Sequence, residues 1–249
     1  MRRRVKVDLH VHSALSPCGG EEMRPPEVLL TAERRGVRML GVADHSTAGN
    51  GWAFVEAAEA FDVRVFVGLE VESAEGVHLL ALFDTLDAAV DMDAVVAAHL
   101  PGLPNNERLF GEQHLLDEMG RVLGKDDRLL VAGTDLSIER LAKMTGERGG
   151  MSLAAHVDRP ANGLLPVLGF VPPDLQVQAF EVSRHMDPDE ARQRWPELRD
   201  LPLMTASDAH YLDDIGRHAT CVSQELALAD VGALEWGRLL AAELTAGAN

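Results

Sequence analysis

The feature that most restricts this chain is a recurring one: apolar, strand-like runs that end in histidine, aspartate or glutamate. The first run ends Asp8-Leu9-His10-Val11-His12, the second Asp44-His45, the third Gly68-Leu69-Glu70. A later one ends Ala155-His156-Val157-Asp158, and a last one Ser207-Asp208-Ala209-His210. Candidate strands cover 6–11, 38–43, 63–71, 77–83, 129–132, 152–156, 177–182, 202–206 and 219–222. Between them lie helical patterns at 26–35, 52–61, 86–99, 112–123, 137–148, 187–195 and 231–244. Pro25 and Pro26 at the start of the first helix and Gly36 behind it suit an N1 and a C′ position. Such alternation over 249 residues implies an α/β fold in one domain spanning 1–249, and the spacing suits a barrel better than a short open sheet. In a barrel the C-terminal strand ends converge on one rim, where active sites lie.

The spacing within these ends carries chemistry. Residues i and i+2 of a strand share a face, so His10 with His12, and Asp208 with His210, can each aim at one point. Imidazole nitrogens and carboxylate oxygens are the usual ligands of zinc, manganese and iron. Glu70, alone at a strand tip, is the candidate to bridge two ions about 4 Å apart. His78 starts a strand rather than ending one. Ser73-Ala74-Glu75-Gly76 reads as a hairpin turn, which would return His78 to the rim near Glu70, with the register deciding its face. His99, His114, His185 and His218 lack a partner at suitable spacing and read as ordinary surface or loop residues; His99 and His114 fall on predicted helices.

Composition narrows the alternatives. A net charge of −17 disfavours a general nucleic-acid binder, because phosphate affinity rests on Lys and Arg. Aromatic residues at 4% disfavour long single strands, which need stacking rings. The acidic surface serves solubility, and it leaves open a small anionic substrate held by metal cations. Two cysteines, Cys18 and Cys221, are too few for a disulfide framework, and no apolar run reaches 18 residues, so the expectation is a cytoplasmic, reduced, non-membrane protein. Met1-Arg2-Arg3-Arg4 looks like a signal start, but Lys6, Asp8 and His10 interrupt any apolar segment behind it.

Taken in order, Asp8-Leu9-His10-Val11-His12-Ser13, Ala43-Asp44-His45, Gly68-Leu69-Glu70, His78, His156 and Asp208-Ala209-His210 resemble the PHP (polymerase and histidinol phosphatase) superfamily. The strings SPCGGEEM and ASDAHYLDDIG are similar to its stand-alone phosphoesterases. The resemblance implies a distorted (β/α)7-type barrel with two or three divalent ions (zinc, manganese or iron). It implies His10, His12, Glu70 and Asp208 as ligands of the first ion, Glu70, His78 and His156 of the second, and His45 and His210 of the third. Where the family commonly places a further ligand after the His-x-His pair, this chain has Pro17, which cannot ligate. Cys18 could replace it, since thiolate binds zinc, as could Glu21 or Glu22. The expectation is therefore a firm two-metal core and a weak or altered third site.

The activity expected is hydrolysis of a small phosphomonoester, or of a nucleotide or short oligonucleotide phosphate, by metal-activated water. Asp44 and Asp158 are expected to orient ligand histidines or to shuttle a proton. Arg159 and Arg184, at the rim, suit bidentate binding of phosphate. The Pro101–Gly111 stretch has turn chemistry and is either a cover over the barrel or a plain connection. Two other readings stay open. An amidohydrolase also uses His-x-His on its first strand, but often needs a carboxylated lysine, and the third strand here has none. A catalytically weak metal-binding or regulatory module is the other; Pro17 is the feature that favours it.

Overall fold

The computed structural model describes residues 3–247. Its main sheet runs in the order β10-β1-β2-β3-β4-β7-β8-β9. The strands are β1 (Arg4–Val11), β2 (Val37–His45), β3 (Arg64–Glu72), β4 (His78–Phe83), β7 (Met151–Ala154), β8 (Ala179–Val182), β9 (Leu203–Thr205) and β10 (Thr220–Ser223). β1–β2, β2–β3, β7–β8 and β8–β9 pair in parallel, while β4 is antiparallel to both β3 and β7. Beyond β9 the chain returns to β1: His12 N donates to Ala209 O at 2.9 Å, and Val11 and Ala209 form a parallel bridge. Seven strands thus nearly close into a barrel, and β10 flanks the outer half of β1 at Arg4–Val7.

Alternation along the strands explains both layers. Inward positions pack one core from every wall: Val7, Leu9, Met39, Phe66, Leu80, Leu82, Met151, Leu153, Ala179, Met204 and Ala206. Trp236 and Leu240 of the last helix, α9 (Ala233–Ala246), join it, so this helix plugs the end where the parallel strands begin. Outward positions meet the surrounding helices. Val11, Leu40 and Val42 pack on α1 (Pro25–Arg34) and α2 (Gly51–Ala58). Val67, Leu69, Leu79, Ala81, Ala154 and Phe180 pack on α3 (Leu86–His99), α5 (Ile138–Glu147) and α7 (Pro188–Arg194).

β1 breaks its own alternation. Between Asp8, paired with Leu40, and Val11, paired with Val42, it holds one residue more than β2. Below this bulge Val7 and Leu9 face the interior; above it Val11 faces the helices, which turns His10 and His12 inward. The bulge sets the Leu9 carbonyl against Gly41, where a Cβ would collide with it.

Two sequence expectations fail. Residues 112–123, expected as a helix, form part of a hairpin of β5 (His114–Leu116) and β6 (Val122–Lys125). The reason is turn chemistry: Asp117 Oδ1 accepts from Met119 N and Arg121 N, and Gly120 has φ +75°. Residues 129–132, expected as a strand, make a turn in which Ala132 N donates to Leu129 O. The short helices α4 (Glu107–Phe110), α6 (Leu164–Leu168) and α8 (Gln224–Ala227) carried no helical pattern long enough to read. The expected hairpin at 73–76 is present: Ser73 N donates to Val77 O, and His78 lies opposite Glu72.

Candidate metal centre

The inward faces that are apolar at the plugged end turn polar at the other. On β3, Phe66 and Gly68 are followed by Glu70 and Glu72; on β2, Met39, Gly41 and Ala43 by His45; on β4, Leu82 and Leu80 are preceded by His78. On β8, Ala179 is followed by Glu181, and after β9, Ala206 by Asp208. His156 and Asp208 adopt left-handed backbone, φ +28° and +48°, a strained conformation that persists when the surroundings demand it.

Glu70 is the hub. Its Oε1 lies 2.7 Å from His78 Nδ1, 3.0 Å from His156 Nε2 and 3.5 Å from His10 Nε2. Its Oε2 lies 3.2 Å from His45 Nδ1 and 3.4 Å from His12 Nε2. Asp208 Oδ1 sits 3.4 Å from Nε2 of both His10 and His12. The strand does not end at Glu70, as expected, but continues to Glu72, whose Oε2 is 3.5 Å from His78 Nε2.

Three trios bring their ligand atoms within 4.8 Å of one another: His10, His12 and Asp208; Glu70, His78 and His156; and His12, His45 and His210. The third gathers without any contribution from position 17. Cys18 lines the adjoining cavity but belongs to none of the trios, and desolvation with the charge of Glu70 pushes its thiol up to about 12. Glu21 and Glu22 belong to none either.

The tautomers follow from the outer contacts. Ser16 Oγ gives its one proton to Asp44 Oδ1 at 2.7 Å, so His12 Nδ1, 2.9 Å from Ser16 Oγ, must be the donor there. His10 Nδ1 donates to Glu181 Oε2 at 2.8 Å, and His210 Nδ1 to the Asp208 carbonyl at 2.9 Å. Each bond occupies Nδ1 and turns Nε2 towards the cluster, the outer-contact logic of metal-bound histidine. Burial drives His12 down to about 4 and His45 down to about 3, so both rings are neutral near pH 7. Burial also opposes a charge on His78, but Glu70 outweighs it and holds that ring up at about 9. Glu70 itself is held well below the usual carboxylate range by His78 and His10, against the effect of burial.

The donor set fits divalent cations. Among the described residues Asp208 Oδ1 is buried without a hydrogen-bond partner, and the Nε2 atoms of His10 and His12 lie 3.1 Å apart. A cation between them satisfies all three atoms.

Asp44 reaches His12 through Ser16 and also takes Ser13 N and Ser13 Oγ. Asp158 does not orient a histidine: its oxygens take Ser183 N and Ser183 Oγ, both at 2.6 Å, tying the loop after β7 to the end of β8. Glu181 performs for His10 the task expected of Asp158. A cavity of about 480 Å³ opens beside the cluster, lined by His156, Arg159, Glu181, Arg184, Asp208 and His210 among others. Arg159 Nη1 donates to Asp208 Oδ2 at 2.9 Å, and Arg184 faces Asp214 at 3.4 Å. A second cavity of about 210 Å³, lined by His45, Glu72, His78 and Asn162, lies on the other side of Arg159. Pro101–Gly111 lines neither; Gly111 instead packs on the Pro17 carbonyl. His99 and His114 pair with Asp135 and Glu112 away from the cluster, and His218 lines a separate hollow.

A barrel that gathers six imidazoles with Glu70 and Asp208 at one rim builds a candidate multi-metal centre. More narrowly, the chain belongs to the PHP domain family, whose model matches residues 8–145. An uncharacterized protein of Methanocaldococcus jannaschii, MJ1587, is 28% identical over 87 residues, which cover 32% of this chain and 50% of that one. The fold is similar to that of the lesion-specific endonuclease PfuEndoQ from Pyrococcus furiosus, with TM-score 0.64, 20% identity, and coverage of 88% of this chain and 52% of that one. It is also similar to a proposed metal-dependent phosphoesterase of Bifidobacterium adolescentis (TM-score 0.60, 16% identity, 88% and 94% coverage). A sulfate-bound amidohydrolase of Chromobacterium violaceum shares it too (TM-score 0.58, 20% identity, 87% and 91% coverage). The chain spans about half the length of MJ1587 and of the endonuclease. Among the described residues no helix is long and apolar enough to cross a membrane.

Proposed function

We propose that this chain hydrolyses a phosphate ester, using two divalent ions of the zinc, manganese or iron class. The observation that carries the reading is the position of Glu70, one carboxylate facing five imidazoles with both oxygens, as a bridge between two ions must. Bound cations would neutralise the ester oxygens and make water a nucleophile near neutral pH. His10, His12 and Asp208 would hold one ion, and His78 and His156 the other, with Glu70 between them. His45 and His210 would complete a third, weaker site with His12.

The remaining groups bind and orient. Arg159 and Arg184 offer guanidinium forks to the non-reacting phosphate oxygens. Asp44 keeps His12 in its metal-binding tautomer through Ser16, and Glu181 does so for His10. Asp158 keeps Ser183, and with it the cavity wall, in place. No protein nucleophile is required: with the ions bound, water would supply the attacking oxygen and the ester alcohol would be the leaving group. A small phosphorylated molecule, nucleotide or short oligonucleotide end fits the acidic surface; a long nucleic acid does not.

The test is a panel of phosphate esters and amides offered to the manganese-loaded chain. Turnover of esters and not amides supports the reading. Turnover of amides alone converts it to the amidohydrolase alternative, and turnover of neither to a metal-binding module.

A further inference from the structure

We propose that the larger cavity recognises a hydroxyl group on the alcohol part of the substrate, held between Glu181 Oε1 and His156 Nδ1. This rests on the phosphoesterase reading and names the substrate class within it.

Four buried side-chain atoms lack a hydrogen-bond partner among the described residues: Asn105 Oδ1, His156 Nδ1, Glu181 Oε1 and Asp208 Oδ1. The last three belong to residues that line this cavity. Asp208 Oδ1 is explained by the metal cluster, because it faces Nε2 of both His10 and His12. The other two are not. Glu181 is fully buried, and its Oε2 is spent on His10 Nδ1, 2.8 Å away. His156 is likewise buried and turns Nε2 to Glu70 at 3.0 Å. A cation that took the Nε2 lone pair would leave Nδ1 as the ring's N–H donor.

With the ions bound, two residues that line the cavity therefore carry one unsatisfied acceptor, Glu181 Oε1, and one unsatisfied donor, His156 Nδ1. They sit on neighbouring walls: the His10 and His156 rings stack at 5.8 Å, Glu181 is bonded to His10, and Val157 N donates to Glu181 O at 2.8 Å. Buried polar atoms left unpaired are costly, so a ligand that pairs both is selected. A hydroxyl donates to the carboxylate and accepts from the imidazole. An ammonium would satisfy Glu181 but leave His156 facing another donor, and a second phosphate would accept from His156 but be repelled by Glu181. Arg159 and Arg184, on the same walls, are left for the anionic part.

A minimal pair of esters tests this. The manganese-loaded chain is assayed on 2-hydroxyethyl phosphate and ethyl phosphate, and binding of 3-hydroxypropylphosphonate and propylphosphonate, which cannot be hydrolysed at an ester, is followed by calorimetry. The expected preference for the hydroxylated member is about ten- to a hundredfold in both kcat/KM and Kd. Glu181→Gln still accepts from His10 but presents an amide N–H₂ where Oε1 was, so the preference should collapse to within about threefold, whatever happens to both members together. Equal wild-type values for the two members, or a Glu181→Gln loss shared equally by both, would overturn the hydroxyl assignment and leave the phosphoesterase reading standing. If neither ester is turned over and neither phosphonate binds, both readings fall together.

Discussion

The Nε2 atoms of His10 and His12 lie 3.1 Å apart, while Nδ1 of each is pinned to a different acceptor, Glu181 for one and Ser16 for the other. Two lone pairs at that distance repel unless a proton or a cation lies between them. In the metal-free protein the proton wins: burial opposes it, but Glu181, Glu70 and Asp208 hold His10 well above the ordinary histidine value. Metal binding must therefore displace a proton from this pair.

His12 belongs to two of the three trios, yet its only available nitrogen is Nε2. The sites that share it compete. Metal analysis after chelator-free purification should find two tightly held equivalents per chain, with a third weaker. Three equally tight equivalents would contradict this.

Glu70→Gln keeps the shape of the hub and removes its charge. It should lower both metal content and turnover, the latter by more than about a hundredfold. Normal metal content together with normal turnover would rule out the bridging role.

Ser16→Ala removes the acceptor that fixes the His12 tautomer. Metal affinity, measured by competition with a chromogenic chelator, should fall about ten- to a hundredfold while the far-ultraviolet circular dichroism stays unchanged. Undiminished affinity would show that His12 needs no such support.

The metal-free protein should be most stable near pH 6.5 as far as these rings decide. His78, at about 9 against an ordinary 6.5, stabilises fully below 6.5 and loses its contribution as pH rises through 9. His12 and His45, at about 4 and about 3, contribute above 6.5 and lose that contribution as pH falls towards those values. Because metal competes with the protons on His10 and His78, the rise in Tm on adding manganese should grow between pH 6 and pH 9. A rise that shrinks over that range would refute the assignment.

Arg159→Ala and Arg184→Ala should each raise KM for phosphate esters, by about tenfold for a charge-assisted contact, with a smaller change in kcat. Arg159→Ala also frees Asp208 Oδ2, so its metal content should be measured alongside. An unchanged KM removes that arginine from the site.

Most of the cluster was legible because it obeys a period of two. Glu70 follows Phe66 and Gly68, His45 follows Ala43, and Asp208 follows Ala206 on faces that carry no charge before them, so the strand ends betray themselves. Glu181 was not legible, for it stands as a single carboxylate in a short buried strand with nothing beside it to mark a partner 171 residues away. Asp158 looked better placed next to His156, but sequence adjacency is not contact, and Ser183 claims it. The hairpin at His114–Lys125 was missed because its apolar residues mimic a helical stripe, while the deciding signals, Asp117 and the left-handed Gly120, occupy four residues of turn.

The extra residue in β1 works as a half-step in a screw thread. Without it, the same sequence would deliver His10 and His12 to the helical layer and leave the mouth with four imidazoles instead of six. Gly41 is the vacancy that admits the half-step, so a lone methyl group there, touching no reactive atom, would decide whether the barrel can load its ions at all.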